Sequence, residues 1–265
     1  MNRLDELTKQ VTELTSEVGQ FIQKEARSFD RFKIEKKSAT ELVSYVDKEA
    51  EHRLVAGLSA ILPEAGFITE EGTIEKTNEA LSWVVDPLDG TTNFMHGVPT
   101  YAISIGLKQN DKIVSGVVHE LNFNECFYAW QGGGAYLNGK NIRISPVNKV
   151  NESLIATGFP YSMDDKALQY MDIIRTFQES CHGVRRIGSA ATDMAYVACG
   201  RFDAYFEFNI KLWDIAGGIA ILEEAGGIAT DFSGHINTNK VHQIEILAAG
   251  GIHGEMMDII KKIWK

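Results

Sequence analysis

The sequence predicts a mixed α/β chain, α+β in its first half and α/β in its second. Three observations predict it. Apolar residues recur at helical spacing near the start. Short apolar segments between residues 82 and 130, separated by turn residues, read as largely antiparallel strands. Beyond residue 146, strand and helix signals alternate. The 265 residues, 44% of them hydrophobic, are enough for one large or two medium domains with a real core. The expected halves are 1–145 and 146–265. No linker, repeat or low-complexity segment divides them, so they are expected to pack as one unit.

Leu4, Leu7, Val11, Leu14, Val18 and Phe21 place one apolar stripe on a first helix, packed on the core. A second helix is expected from Thr40 and Glu41 to Leu62, stopped by Pro63. Val43, Ala50 and Leu54 share its apolar face, and Asp47 falls on that face or at its edge. Ser82–Val85 is a short strand ending at Asp86, where Pro87 should cut the pairing. Residues 101–107 and 113–119 flank a hairpin turn, and 127–130 is a further strand. In the second half, strands are expected at 154–157, 183–187 and 244–248. Helices are expected at 165–181, 190–199, 214–225 and 253–265.

A net charge of -10 argues against general nucleic-acid binding, which rewards dense Lys and Arg. Anionic ligands would need a local reversal of the field, such as a bound cation. Cys126, Cys181 and Cys199 form no C-x-x-C pair and read as small buried residues of a reducing compartment. The charged N-terminus has no signal-peptide core, and no apolar run nears the roughly 20 residues that span a bilayer. A cytoplasmic protein without membrane contact is expected. No zinc spacing, D-x-D-x-T or C-x5-R phosphatase loop is present. Arg185 and Arg186 read as surface or interface charges, and no basic cluster can be placed beside a pocket.

The segment Asp86-Pro87-Leu88-Asp89-Gly90-Thr91-Thr92 carries the strongest chemical signal. Two carboxylates three residues apart at a buried strand end can converge on one spot. Gly90 lets backbone approach a ligand, and the Gly90 and Thr91 amides would face an anion if they open a helix. Glu70-Glu71-Gly72 is either a solvated acidic turn or a further ligand source. Asp214, after Trp213, reads as a helix N-cap that is a pure cap or a fourth inward acid.

Together, Glu70-Glu71, Asp86 to Phe94, Gly132 to Gly139 and Trp213 to Gly217 resemble the inositol monophosphatase family, in that family's order and spacing. The likeness covers nearly the whole chain. It implies a layered α/β/α/β/α sandwich of the sugar-phosphatase type, usually a lithium-sensitive homodimer, that hydrolyses phosphate monoesters with Mg²⁺. The first half would bind metal and phosphate, the second the substrate. Carried over by position, Glu70, Asp86, Asp89 and the Leu88 carbonyl would hold one ion. Asp86, Asp89 and Asp214 would hold a second, and Glu70 a weaker third. Thr91 and Asp47, with Glu70, would orient and deprotonate the attacking water. The Gly90 and Thr91 amides would bind phosphate, and Gly188, Ser189, Ala190 and Glu207 would meet the substrate. Lys211 stands where animal members carry His, and Gly217 replaces a commoner Ala, which predicts a looser helix start. The first substrate implied is inositol-1-phosphate. Fructose-1,6-bisphosphate, NADP, histidinol phosphate and a 3′-phosphonucleotide are alternatives, and a transcription-complex binding factor is a reading of another class.

Overall fold

The computed structural model describes residues 2–28, 35–36, 42–43, 45–74, 77–78, 80–160 and 164–265. Helix α1 (Asn2–Ala26) buries Leu7, Val11 and Val18 of the expected stripe, and Ile22 besides, while Leu4, Leu14 and Phe21 are half-buried. Strands β1 (Glu35–Lys36) and β2 (Leu42–Val43) form a short antiparallel ladder. Val43, read as helical, therefore lies in β2, where a β-branched residue suits extended backbone. The expected helix start at Thr40 and Glu41 lies outside the described residues. Helix α2 runs Tyr45–Ile61, and Asp47, Ala50, Glu51 and Leu54 are fully buried on it.

Seven strands form the first sheet: β3 (Gly66–Thr69), β4 (Leu81–Asp89), β5 (Ala102–Gln109), β6 (Lys112–Glu120), β7 (Glu125–Trp130), β8 (Gly134–Leu137) and β9 (Lys140–Ile142). They lie side by side in chain order, and only β3 and β4 run parallel. Helix α3 (Thr91–His96) follows β4 directly. The β8–β9 hairpin was not read from the sequence, although Asn138-Gly139 is a strong hairpin signal. Both residues take positive φ, 48° and 80°.

The second sheet contains β10 (Leu154–Thr157), β11 (Gly183–Arg185), β12 (Ala204–Ile210), β13 (Ile228–Thr230) and β14 (Ile244–Ala249), in the spatial order β11-β10-β12-β14-β13. Strand β10 runs parallel to both its neighbours, whereas β14 runs antiparallel to β12 and β13. Helices α4 (Asp165–Ser180), α5 (Ala190–Ala198), α6 (Leu212–Glu224) and α7 (His253–Ile263) complete the chain.

Strand alternation sorts the side chains into three cores and hence five layers, α/β/α/β/α. Trp83 and Val85 of β4 point to α1 and α2, and Val84 points the other way to α5 and α6. In the second sheet Tyr205 and Ile246 face α5 and α6. Phe206 and Leu247 face α4 and α7. Each fully buried large aliphatic side chain contributes ~1.5–3 kcal/mol. No described helix is long and apolar enough to cross a membrane.

Two local features set up the site. In β4, Asp86 pairs with Ser104 and Asp89 with Ala102, so one extra residue is accommodated at Pro87-Leu88. The proline interrupts the ladder, as expected, but the strand resumes through Asp89 and does not end at Asp86. On the middle layer, α6 lies directly against β5 and β6. A Cβ on Gly116 would meet the Gly217 carbonyl oxygen at 2.2 Å, and one on Gly217 would meet Ser104 Oγ at 2.9 Å. The α6 start is thus pressed onto the sheet, and the looser start expected from Gly217 is corrected.

Candidate active site

A cavity of about 500 Å³ opens between the ends of the two sheets. The β4 loop with Glu70 forms one wall, and β12, α5 and the start of α6 form the other. Glu70, Asp86, Leu88, Asp89, Gly90, Thr91, Gly188, Ser189, Ala190, Glu207 and Asp214 all line it. Asp47 alone of the candidate residues does not. It is fully buried behind Thr91, whose Oγ1 lies 3.1 Å from Asp47 Oδ1 and 2.9 Å from the Leu88 carbonyl oxygen.

Backbone donors hold the carboxylates. Asp86 Oδ1 accepts the Leu88 N–H at 2.9 Å. Asp89 Oδ2 accepts the Ser189 hydroxyl at 2.5 Å and the Ala191 N–H at 2.8 Å, which seats this anion at the start of α5. Ser189 therefore turns its hydroxyl to Asp89. Asp214 is corrected from N-cap to third residue of α6: Lys211 is the N-cap, and Asp214 Oδ2 reaches back to its N–H at 2.7 Å. A carboxylate at this third position accepts the N–H of the N-cap residue, whereas an N-cap side chain would accept the N–H of the second or third helical residue. Gly90 has φ 91°, a left-handed conformation, with the Thr100 carbonyl oxygen 3.0 Å from where a Cβ would stand. Asn93 Nδ2 donates to the Thr100 and Ile187 carbonyls, both at 2.8 Å, and ties this loop to the second wall.

The electrostatics are those of crowded anions. Burial pushes the Asp86 carboxyl well above the ordinary range, and Glu70, Asp89 and Asp214 push it further. Asp214 is raised by burial and then by Asp89 and Glu70. Burial lifts Asp89 to about 6, against the pull of its Ser189 and amide donors. Among the described residues no three His, Cys, Asp or Glu side chains form a ready-made ligand cage. The donor set still fits a hard divalent ion: it is all oxygen and anionic, and its members repel one another within one cavity. Such an ion normally retains water and substrate oxygens beside a few carboxylates.

The cavity also holds two residues that sequence reasoning missed, Arg186 and Asp193, beside the expected Glu207. Arg186, read as a surface or interface charge, lines the cavity with Lys211 and His242, so a basic group does stand beside the pocket. Its guanidinium folds back over Gly188, which has φ 90°. Asp193 is 2% exposed, and its Oδ1 has no hydrogen-bond partner. Glu207 sits within β12, accepts the Tyr205 hydroxyl at 2.5 Å, and is pushed up to about 7, chiefly by burial. The three cysteines are free and half-buried rather than fully buried.

A family model described as the inositol monophosphatase family matches residues 3–265. The chain belongs to the inositol monophosphatase family. This is a family of phosphatases, generally metal-dependent. A Vibrio cholerae protein named Nus factor SuhB is 39% identical over 217 residues, covering 82% of this chain and 81% of its own. A Mesorhizobium japonicum inositol-1-monophosphatase is 36% identical over 217 residues, with 82% of each chain covered. The crystal structure of extragenic suppressor protein suhB from Bartonella henselae superposes with a TM-score of 0.88 at 33% identity, over 96% of this chain and 98% of that one.

Proposed function

We propose that this inositol monophosphatase family member is a Mg²⁺-dependent phosphatase of a small phosphate monoester, with inositol-1-phosphate the first substrate to test. One observation carries the reading. Four carboxylates, Glu70, Asp86, Asp89 and Asp214, line one cavity together with a Thr91 hydroxyl backed by buried Asp47. The Mesorhizobium relative's name supports the substrate class.

In this reading Glu70, Asp86, Asp89 and the Leu88 carbonyl would hold one ion. Asp86, Asp89 and Asp214 would hold a second, and Glu70 would serve a third. Bound there, Mg²⁺ neutralises the carboxylates and makes a water more acidic. Thr91 directs its hydroxyl hydrogen to Asp47 or to the Leu88 carbonyl, which leaves its oxygen to accept a hydrogen from the attacking water. The proton passes from water through Thr91 to Asp47, with Glu70 beside it. The Gly90 and Thr91 amides meet the phosphate. On the opposite wall Glu207 accepts hydrogen bonds from leaving-group hydroxyls, and Gly188, Ser189 and Ala190 shape that wall. A cytoplasmic homodimer completes the proposal.

Phosphate release across a panel of inositol-1-phosphate, fructose-1,6-bisphosphate, NADP, histidinol phosphate and a 3′-phosphonucleotide, with and without Mg²⁺, tests it. Turnover only with Mg²⁺, reduced by tens of millimolar Li⁺, is expected. No release from any of them at millimolar Mg²⁺ sinks the reading. The relatives named Nus factor SuhB favour a second reading, a factor of a transcription complex. An Asp86→Asn variant that is inactive yet sustains full cellular function would support it.

A further inference from the structure

We propose that Glu51 is a positioning residue that holds Glu70 in the cation site. This rests on the metal reading above. Glu51 is fully buried on α2 and does not line the cavity. Its Oε2 accepts the Glu71 N–H at 2.7 Å, and its Oε1 accepts the Thr73 N–H at 2.8 Å. Both donors belong to the loop that leaves β3 and carries Glu70. At the loop's other side the Glu70 N–H donates to the Val85 carbonyl of β4 at 3.2 Å. The segment from 70 to 73 is thus tied by its backbone on both sides of the Glu70 side chain.

Asp47 and Glu51 are four residues apart, one turn of α2, and both are fully buried. Asp47 reaches Thr91 in the loop after β4, while Glu51 reaches the loop after β3. One helix face therefore supports two separate loops of the same wall. A carboxyl group taking two amides at these lengths, one on each oxygen, is a directional clamp. No other side chain reproduces it. Gln keeps one acceptor and turns an N–H₂ towards an N–H. Asp is one methylene short, and Ala leaves two buried donors unpaired. Outer residues that orient metal ligands typically govern affinity by about 10–100-fold.

The test compares wild type with Glu51→Gln by Mn²⁺ titration followed by electron paramagnetic resonance, with no substrate present. Half-saturating Mn²⁺ is expected to rise by roughly tenfold or more. The Mg²⁺ needed for half-maximal turnover should rise in parallel, with much of the kcat recovered at high Mg²⁺. A merely structural role lowers the melting temperature and leaves the Mn²⁺ curve in place, and that result overturns the proposal. Amide exchange on wild type covers the case of a variant that does not fold. The Glu71 and Thr73 amides should exchange slowly before any metal is added, and fast exchange there refutes the clamp. Failure of wild type to release phosphate removes the proposed reaction but leaves the Mn²⁺ and exchange results to be read separately.

Discussion

The two walls of the cavity are built differently. On one, Asp86, Leu88, Asp89, Gly90 and Thr91 arrive within six consecutive residues, on one strand and the helix start that follows it. On the other, Arg186, Asp193, Glu207 and Lys211 come from a loop, a helix, a strand and a helix cap. Chemistry shared by a reaction class can sit in a short contiguous segment. Recognition of a particular leaving group is assembled from side chains scattered over the fold, and it can change one residue at a time.

The contrast predicts that substitutions in the segment from Asp86 to Thr91 abolish turnover for every substrate, and that those at Arg186, Asp193 or Glu207 change the order of preference. Asp86→Asn is expected to lower phosphate release by about 10³-fold or more across the whole substrate panel. The same change removes one member of a repelling set, so the metal-free protein should melt higher, measured in chelator. Thr91→Val should lower kcat by about 10²-fold or more with KM little changed, since it deletes the group that orients the water. A Thr91→Val enzyme with normal kcat breaks the assignment.

A smaller effect tests the support under Asp214. Gly116→Ala puts a Cβ at 2.2 Å from the Gly217 carbonyl oxygen, and backbone on both sides resists relief. A loss of about 1–3 kcal/mol in chemical denaturation is expected. The second wall gives the smallest change in rate. Glu207→Gln should alter kcat/KM ratios between substrates by about tenfold while leaving the Mg²⁺ requirement in place.

Glu207 also predicts a pH effect of known sign. Its folded value of about 7 lies above its ordinary 4.5, so between these limits the native state holds a proton that the unfolded state has lost. Stability therefore falls as pH rises from about 4.5 to about 7, by on the order of 3 kcal/mol for this group, and is flat above. Denaturation of Glu207→Gln across this range should show a shallower slope than wild type. An unchanged slope assigns the effect to other carboxyls.

The contrast also explains what was legible in the sequence. The helices and most central strands announce themselves by period and by the residues that end them. Asp86 and Asp89 are conspicuous because two acids at the end of an apolar strand are improbable for packing alone. Arg186 was misread because nothing local distinguishes an inward arginine from a surface one. Its direction depends on the left-handed backbone at Gly188 and on a second sheet some hundred residues from the first loop. Asp214 was placed correctly near a helix start but given the wrong position, since an acid serves an orphan first-turn amide equally well from the N-cap or from the third residue, and the sequence does not say which amide. Glu51 gave no signal, because its role lies wholly in two backbone amides 20 and 22 residues away.

The bonds from Ser189 and Ala191 to Asp89 span 100 and 102 residues of chain. Closing a loop of that length carries an entropy penalty that local helices and hairpins avoid. The seam between Asp89 and α5 is therefore expected to be among the last parts of the molecule to form. In a refolding experiment, regain of metal affinity should lag behind regain of secondary structure. The first loosening of the native state would open the seam between Asp89 and α5 and silence the site while most of both sheets stays intact.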